Sequence, residues 1–316
     1  MSASGKYRIL CTDGLSKAGL EEMSSSPVLD VVYKEKMSQE ELLRDIPEFH
    51  GLVVRSASKV SAKIIEAGKN LKIIARAGVG TDNIDIQTAR KNGILVINAP
   101  VGNAVSAAEL TFAMMLSLAR CIPQASKSMS EGMWEKKKFK GMELAGKTLG
   151  IIGFGRIGQE VACRATAFRM TILVCDPNLS PMKIKELGGE ASDLEKICRE
   201  SDFITIHAPL NKDTENLISS KEMAMMKPSV RIINCARGGI INEEDLAAAL
   251  KSGRIAGAAL DVFTKEPFDS SIFRDVSNCI MTPHLGASTA EAQDAVAREV
   301  GVSVVKFFSE GISGCL

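Results

Sequence analysis

Histidine is scarce in this chain, with three in 316 residues, at positions 50, 207 and 284. The eight cysteines are scattered and never spaced as Cys-x-x-Cys, so no ligand set for a structural zinc ion is legible and no metal is expected. Charge of one sign is lacking too, with 39 Lys and Arg against 38 Asp and Glu, and nothing global points to nucleic acid or an anionic membrane. Long apolar runs are missing. The N-terminal residues are polar and every hydrophobic stretch is short, which predicts neither a secretory signal nor a membrane span. The cysteines, mostly in apolar stretches, then read as small buried hydrophobes in a reducing cytoplasm.

What is present is alternation. Tyr7 to Cys11, Val28 to Tyr33, Gly51 to Val54, Leu71 to Ala75 and Ile94 to Ile97 read as strands separated by helical stretches, a doubly wound α/β pattern. Ser106-Ala107-Ala108-Glu109 reads as a capping box opening a long apolar helix to about Ala119. The stretch from Ile122 to Ala145 reads as irregular and carries the only tryptophan, Trp134. A long arm of that kind is either disordered or functional, and packing on another chain is one such function.

A second α/β unit opens with Gly153-Phe154-Gly155-Arg156-Ile157-Gly158. With 26 glycines in the chain, three at this spacing arise by chance in roughly one such chain in six, so context has to carry the motif. Here the context is right. An apolar strand, Lys147 to Ile152, precedes the turn, a helical pattern follows it, and the next strand ends in Asp176, 18 residues beyond Gly158. Gly153 permits the tight turn, Gly155 lets backbone approach a pyrophosphate, and Gly158 lets helix pack on strand, while the helix N-terminus supplies N–H donors. A carboxylate at 176 accepts hydrogen bonds from ribose hydroxyls and repels a 2′-phosphate, which favours NAD over NADP.

Later strands end on polar residues: His207, Cys235-Ala236-Arg237, Asp261 and His284. In the first unit, Arg55 and Arg76 do the same. Ligands of open α/β sheets bind beyond the carboxyl ends of strands, so these residues are expected to line crevices, with cofactor on one wall of a cleft and an anionic substrate on the other. His207 reads equally as a cofactor-lining or a core histidine. His50, before a strand in a polar stretch, reads as solvated surface.

Gly153 to Gly158, Asp176, His207-Ala208-Pro209, Asn234 to Gly239, Ala259 to Phe263, Glu266-Pro267 and Pro283-His284-Leu285-Gly286 together resemble the D-2-hydroxyacid dehydrogenase family. The likeness runs over nearly the whole chain. Val54 to Val60, Arg76 to Asn83 and Leu285 to Thr289 look most like the branch whose substrate carries a phosphate besides its carboxylate. The resemblance implies two doubly wound parallel-sheet domains. One, residues 1–98 plus 290–316, would be a flavodoxin-like substrate-binding lid, and the other, 99–289, a Rossmann NAD-binding domain with a dimerisation helix and arm at about 102–146. Crossovers near 98–102 and 287–292 would act as hinges.

The chemistry of such an oxidation needs a hydride acceptor, a base for the hydroxyl proton and a cation for the carboxylate. Histidine exchanges protons near neutral pH, and a carboxylate beside it orients the imidazole and stabilises its protonated form. Arginine offers a planar fork for a carboxylate. The resemblance assigns these duties to His284, Glu266 and Arg237. By the same likeness Arg156 and Ile157 meet the cofactor phosphates, Cys235 and Ala236 line the nicotinamide side, Gly286 is a further cofactor contact, and Asp261 holds the carboxamide or the nicotinamide end. For Asp261, a helix cap or ion-pair partner is the alternative.

On the substrate side, Arg55 and Arg76 read as second anchors and Gly78, Val79 and Gly80 as backbone donors to the carboxylate. Lys136, from the neighbouring subunit of a homodimer, stands where many relatives have arginine; alternatively the lysine run is a solvated face. Val79 replaces a hydroxylated residue of the family. A reductase of unphosphorylated acids and a non-catalytic NAD-sensing scaffold remain as other readings. Relatives under serine feedback carry a further domain after the last helix, so direct inhibition by serine is not expected here.

Overall fold

The structure, a computed structural model, describes residues 5–311; the end of the expected lid domain at 312–316, with Cys315, lies outside the described residues. The chain divides into two compact units, one made of residues up to Asn103 and from Ala287 onward, the other of Ala104–Gly286. Each unit is built on one parallel sheet.

The first unit's strands are β1 (Tyr7–Cys11), β2 (Leu29–Tyr33), β3 (Gly51–Val54), β4 (Ile73–Arg76) and β5 (Leu95–Asn98), in the spatial order β2-β1-β3-β4-β5. Successive side chains of a strand point to opposite faces, and here both faces are covered. Ile9, Cys11, Val53, Ile73 and Ala75 pack on Val296, Ala297, Val300 and Val304 of the helix Ala290–Glu310. Leu10, Leu52, Val54 and Ile74 pack on the other side against Leu42, Ile46, Ile64 and Ile65. Two buried faces explain why these strands read as unbroken apolar runs. The helix that closes this unit thus comes from the far end of the sequence.

The second unit carries β6 (Thr148–Ile152), β7 (Thr171–Cys175), β8 (Glu190–Ala191), β9 (Phe203–Ile206), β10 (Arg231–Asn234), β11 (Gly257–Leu260) and β12 (Cys279–Met281). Their order is β12-β11-β10-β9-β6-β7-β8. Leu149, Ile151, Phe203, Ile233 and Ala259 face the helices Ala104–Arg120 and Arg156–Ala167 through Phe112, Met115, Val161 and Ala165. Ile152, Ile204, Ile206, Ile232 and Ala258 face the opposite layer. The parallel α/β architecture with a Rossmann-type second unit is as expected.

Three local expectations fail. The long helix begins at Ala104, so Ser106 lies inside it; its buried hydroxyl donates to the Gly286 carbonyl at 2.9 Å instead of capping the helix. Glu109, the other half of the supposed box, pairs with Arg164. Ile122–Ser130 is helical, and Lys136–Lys138 forms a 3₁₀ turn. Pro123 sits in the first turn of that helix, where a fixed φ and a missing N–H are tolerated. His50 is buried. Its Nδ1 accepts from the Arg8 N–H at 3.1 Å, its ring meets Tyr7 edge-on, and burial lowers its pKa.

Among the described residues no single helix is long and apolar enough to cross a membrane. Cys11, Cys198 and Cys235 are buried, and desolvation pushes their thiols up to about 12, 11 and 12. Only Cys163 among the described cysteines is exposed.

Candidate active site

The sheet order of the second unit reverses between β6 and β9, and in open α/β sheets ligands bind at such a switch point. The glycine turn leaves β6 there. Gly153 has φ +88°, and a Cβ on it would sit 2.7 Å from the His207 carbonyl, at the end of β9. A Cβ on Gly158 would overlap the Gly153 carbonyl, so the helix can approach the turn only as glycine. Gly155 differs. Nothing stands within 4 Å of a Cβ there, and the helix it opens at exposed Arg156 has no side-chain cap. Uncapped first-turn N–H groups beside an open backbone surface fit a dinucleotide pyrophosphate.

Asp176, one residue past β7, accepts from the Phe154 N–H at 2.7 Å and from the Asn178 N–H at 2.9 Å. The acid is thereby tied to the glycine turn itself. Ile157 is half-buried and packs against the core. Burial lowers the pKa of His207 to about 3, which keeps its ring uncharged, and its Nε2 meets Thr205 Oγ1 at 2.9 Å. Its backbone, not a charged ring, borders the glycine turn.

The loop after β12 carries His284 in the left-handed region, φ +54°, a conformation that a non-glycine residue keeps only when its surroundings hold it. Asp261, at the end of β11, supplies much of that hold. Its fully buried carboxylate accepts from Thr282 Oγ1 at 2.6 Å, Leu285 N at 2.7 Å and Gly286 N at 2.8 Å, and its carbonyl accepts from His284 N at 2.9 Å. The reading that gave Asp261 to the cofactor is therefore modified. With no exposed surface and three donors on it, the carboxylate is the anchor of the histidine loop.

His284 Nδ1 lies 2.8 Å from Glu266 Oε2, and Glu266 Oε1 accepts from Phe263 N at 3.1 Å. The side chains of His284 and Glu266 are 49% and 39% exposed, open enough for a substrate to reach them. With Nδ1 engaged by the carboxylate, Nε2 is the nitrogen left to exchange a proton.

Arg237 stands on the loop after β10. Buried Asn234 shapes that loop, accepting from Ala236 N at 3.0 Å and donating to the Arg237 carbonyl at 2.8 Å. Arg237 is half-buried and its Nη1 donates to the Ala236 carbonyl at 2.7 Å. A Cβ on Gly238 would overlap the Phe263 carbonyl, so the arginine loop is pressed against the segment leading to Glu266. Cys235 turns inward: its buried Sγ lies 3.5 Å from Met114 Sδ, leaving its backbone and half-buried Ala236 as surface. Gly286 is buried between Asp261 and Ala107. The loop-shaping role of Asn234 and the tie from Ser106 to the histidine loop were not anticipated from sequence; a polar residue at a strand end or inside an apolar helix was the available signal.

In the first unit Arg76 closes β4 opposite Val54, and Arg55 follows directly after β3. Gly78 has φ +149°, and a Cβ on it would overlap the Arg76 guanidinium, which lies over this turn. The Val79 carbonyl is held by Asn98 Nδ2 at 2.5 Å, with Val79 and Gly80 half-buried. Lys136 is exposed in its 3₁₀ turn, beside a Lys138–Glu135 pair at 2.5 Å. Among the described residues no cluster of three or more His, Cys, Asp or Glu could hold a metal ion.

The chain is similar to known proteins. The family description "D-isomer specific 2-hydroxyacid dehydrogenase, NAD binding domain" matches residues 112–286. A hydroxypyruvate reductase of Thermotoga maritima is 49% identical over 309 residues, 96% of this chain and 98% of that protein. A D-3-phosphoglycerate dehydrogenase of Synechocystis is 47% identical over 297 residues, 94% of this chain but 53% of that protein. The chain thus spans about half the length of several curated relatives it matches. Among solved structures, a D-lactate dehydrogenase of Aquifex aeolicus complexed with NAD and lactic acid superposes with a TM-score of 0.82 at 28% identity, covering 96% of this chain and 95% of that one. On the family match over more than half its length, and on a full-length relative at nearly half identity, this chain belongs to the D-isomer specific 2-hydroxyacid dehydrogenase family and carries its NAD-binding domain.

Proposed function

We propose that the chain is a cytoplasmic, homodimeric dehydrogenase that oxidises 3-phospho-D-glycerate to 3-phosphohydroxypyruvate with NAD, the first step of phosphorylated L-serine biosynthesis. The observation that carries the reading is the His284–Glu266 pair at 2.8 Å on loops interlocked with the Arg237 loop. Arg237 binds the substrate carboxylate and polarises the oxygen on C2. As that hydroxyl becomes a carbonyl, His284 Nε2 takes its proton, and Glu266 stabilises the imidazolium through Nδ1. NAD, when bound, supplies the acceptor for the C2 hydride. Gly153, Gly155, Arg156, Ile157 and Gly158 would hold its pyrophosphate, Asp176 its ribose, and the 207, 235–236 and 286 backbones its nicotinamide side.

Replacing Asp176 with alanine should weaken NAD roughly 10- to 100-fold, the range of a lost charged hydrogen bond, and relax discrimination against NADP. Cofactor titrations with both dinucleotides measure this; unchanged selectivity would rule out the ribose role.

Two features support the phosphorylated substrate. Arg55 and Arg76 stand at neighbouring strand ends of the first unit, and several D-3-phosphoglycerate dehydrogenases are 46–47% identical to this chain. The test is NADH formation from NAD and 3-phosphoglycerate, with glyoxylate and hydroxypyruvate followed in the reverse direction. Arg55→Ala and Arg76→Ala should each raise KM for the phosphorylated acid about tenfold or more, as loss of a charge-assisted anion contact does. The Thermotoga hydroxypyruvate reductase, matched over 98% of its length, favours a second reading. On that reading the unphosphorylated acids turn over best and neither arginine matters to them. Absence of turnover with every acid would instead fit a non-catalytic NAD sensor.

The dimer is supported by exposed apolar side chains on and beside the 104–130 helices, among them Val105, Ile122, Met129 and Trp134, the last 81% exposed. Burying such a patch is a common reason for association. Sedimentation should give the mass of two chains, and a monomer at micromolar concentration would exclude a Lys136 contribution in trans. The seven described cysteines are all free, which suits a reducing cytoplasm.

A further inference from the structure

The first sheet also has a switch point, between β1 and β3, and the two loops leaving it there are locked together. Asp13, two residues past β1, adopts φ +64°, an unusual backbone for a residue with a side chain. Its Oδ2 accepts from the Arg55 N–H and the Ser58 N–H, both at 2.9 Å, and its Oδ1 accepts from Ser58 Oγ at 2.6 Å. Asn83 completes the grip from the other side, donating through Nδ2 to the Arg55 carbonyl at 2.8 Å and the Ser58 carbonyl at 2.7 Å. The Arg55 guanidinium in turn donates from Nη1 to the Gly14 carbonyl at 3.3 Å, next door to Asp13. Ser58 is buried while Ser56 and Ala57 are exposed.

An exposed turn of this length ordinarily samples many conformations, and each unrestrained residue adds backbone entropy to be lost on binding. Here both backbone ends of the turn are fixed by side chains far away in sequence. A carboxylate beside an anion-binding arginine would by itself repel the ligand. Its charge is instead absorbed by three donors, which makes these hydrogen bonds strong ones. We propose that Asp13, assisted by Asn83, is a positioning residue for substrate specificity. It holds the 55–58 turn so that Arg55 is ready for the second anionic group of the substrate. This rests on the reading that Arg55 receives the substrate's phosphate.

The test compares Arg55→Ala, Asp13→Asn and the double variant on 3-phosphoglycerate and on unphosphorylated hydroxypyruvate. Asp13→Asn, nearly isosteric but unable to accept from all three donors, should raise KM for the phosphorylated acid about tenfold, equivalent to ~1.4 kcal/mol. Its kcat and its KM for hydroxypyruvate should stay within twofold of the parent. In the Arg55→Ala background the same change should add less than twofold, because the group it positions is gone. If Arg55→Ala leaves KM for the phosphorylated acid unchanged, the phosphate reading itself fails. If Arg55→Ala raises it and Asp13→Asn, with an unaltered melting temperature, does not, the positioning role is overturned. Equal losses on both substrates, or additive effects in the double variant, overturn it as well. Should Asp13→Asn fold poorly, Ser58→Ala removes one donor and no charge; a threefold rise in the same KM is expected, and no change refutes the proposal.

Discussion

His284→Asn should lower kcat for oxidation roughly 10²- to 10⁴-fold, the span of a positioned general base, while leaving NAD binding near that of the parent. The reason lies in how the side chain is mounted. Its Nδ1 is engaged by Glu266 at 2.8 Å and its backbone is clamped by Asp261, so the imidazole offers Nε2 without first having to be ordered. Asparagine can occupy the loop, including its left-handed backbone, but cannot exchange the proton. The pH profile gives the sharper test. For the parent, kcat/KM for oxidation should rise as the imidazole loses its proton, and that for reduction should fall over the same range, since reduction needs the protonated form. Both slopes should vanish in the variant. A parent profile flat in both directions, or a variant with ordinary turnover, would remove His284 from the mechanism.

Arg237→Lys should lower kcat/KM about 10²- to 10³-fold, the usual loss on removing a donor aimed at a developing oxyanion. The charge is kept in that substitution. What is lost is the planar fork that can engage a carboxylate with two parallel hydrogen bonds, along with the Nη1 bond to the Ala236 carbonyl; the Asn234 bond to the backbone carbonyl of residue 237 is kept. An ammonium on a flexible stem would reach one oxygen or another, not both. Steady-state kinetics with 3-phosphoglycerate and with hydroxypyruvate should show the defect on each, because both acids carry the carboxylate. A lysine variant within threefold of the parent would mean that the guanidinium is not the substrate anchor.

The features most legible in sequence were those with a fixed spacing and a backbone reason for it. The glycine turn could be read because close approaches require glycine at 153 and 158, while Gly155 leaves the surface between them open. The strands could be read because two covered faces demand continuous apolar runs. Polar side chains that serve other loops were harder. Ser106 looked like a helix cap, since nothing local reveals that a carbonyl 180 residues away will face its hydroxyl. His50 looked exposed because its flanks are polar, yet a strand begins beside it and Arg8 supplies a donor from across the sheet. Asp261 was read as a nicotinamide contact with a structural role as the alternative; its observed partners, at 282, 285 and 286, are set by the parallel pairing of β11 with β12. The helix Ile122–Ser130 was missed inside a stretch read as irregular; its proline stands in the first turn, where it does not break a helix.

Gly238 has no room for even a methyl group where it meets the Phe263 carbonyl. The Arg237 loop and the segment leading to Glu266 are consequently one mechanical part, joined main chain to main chain. New substrate preferences cannot readily be reached by loosening that joint, because any larger residue there would misplace both at once.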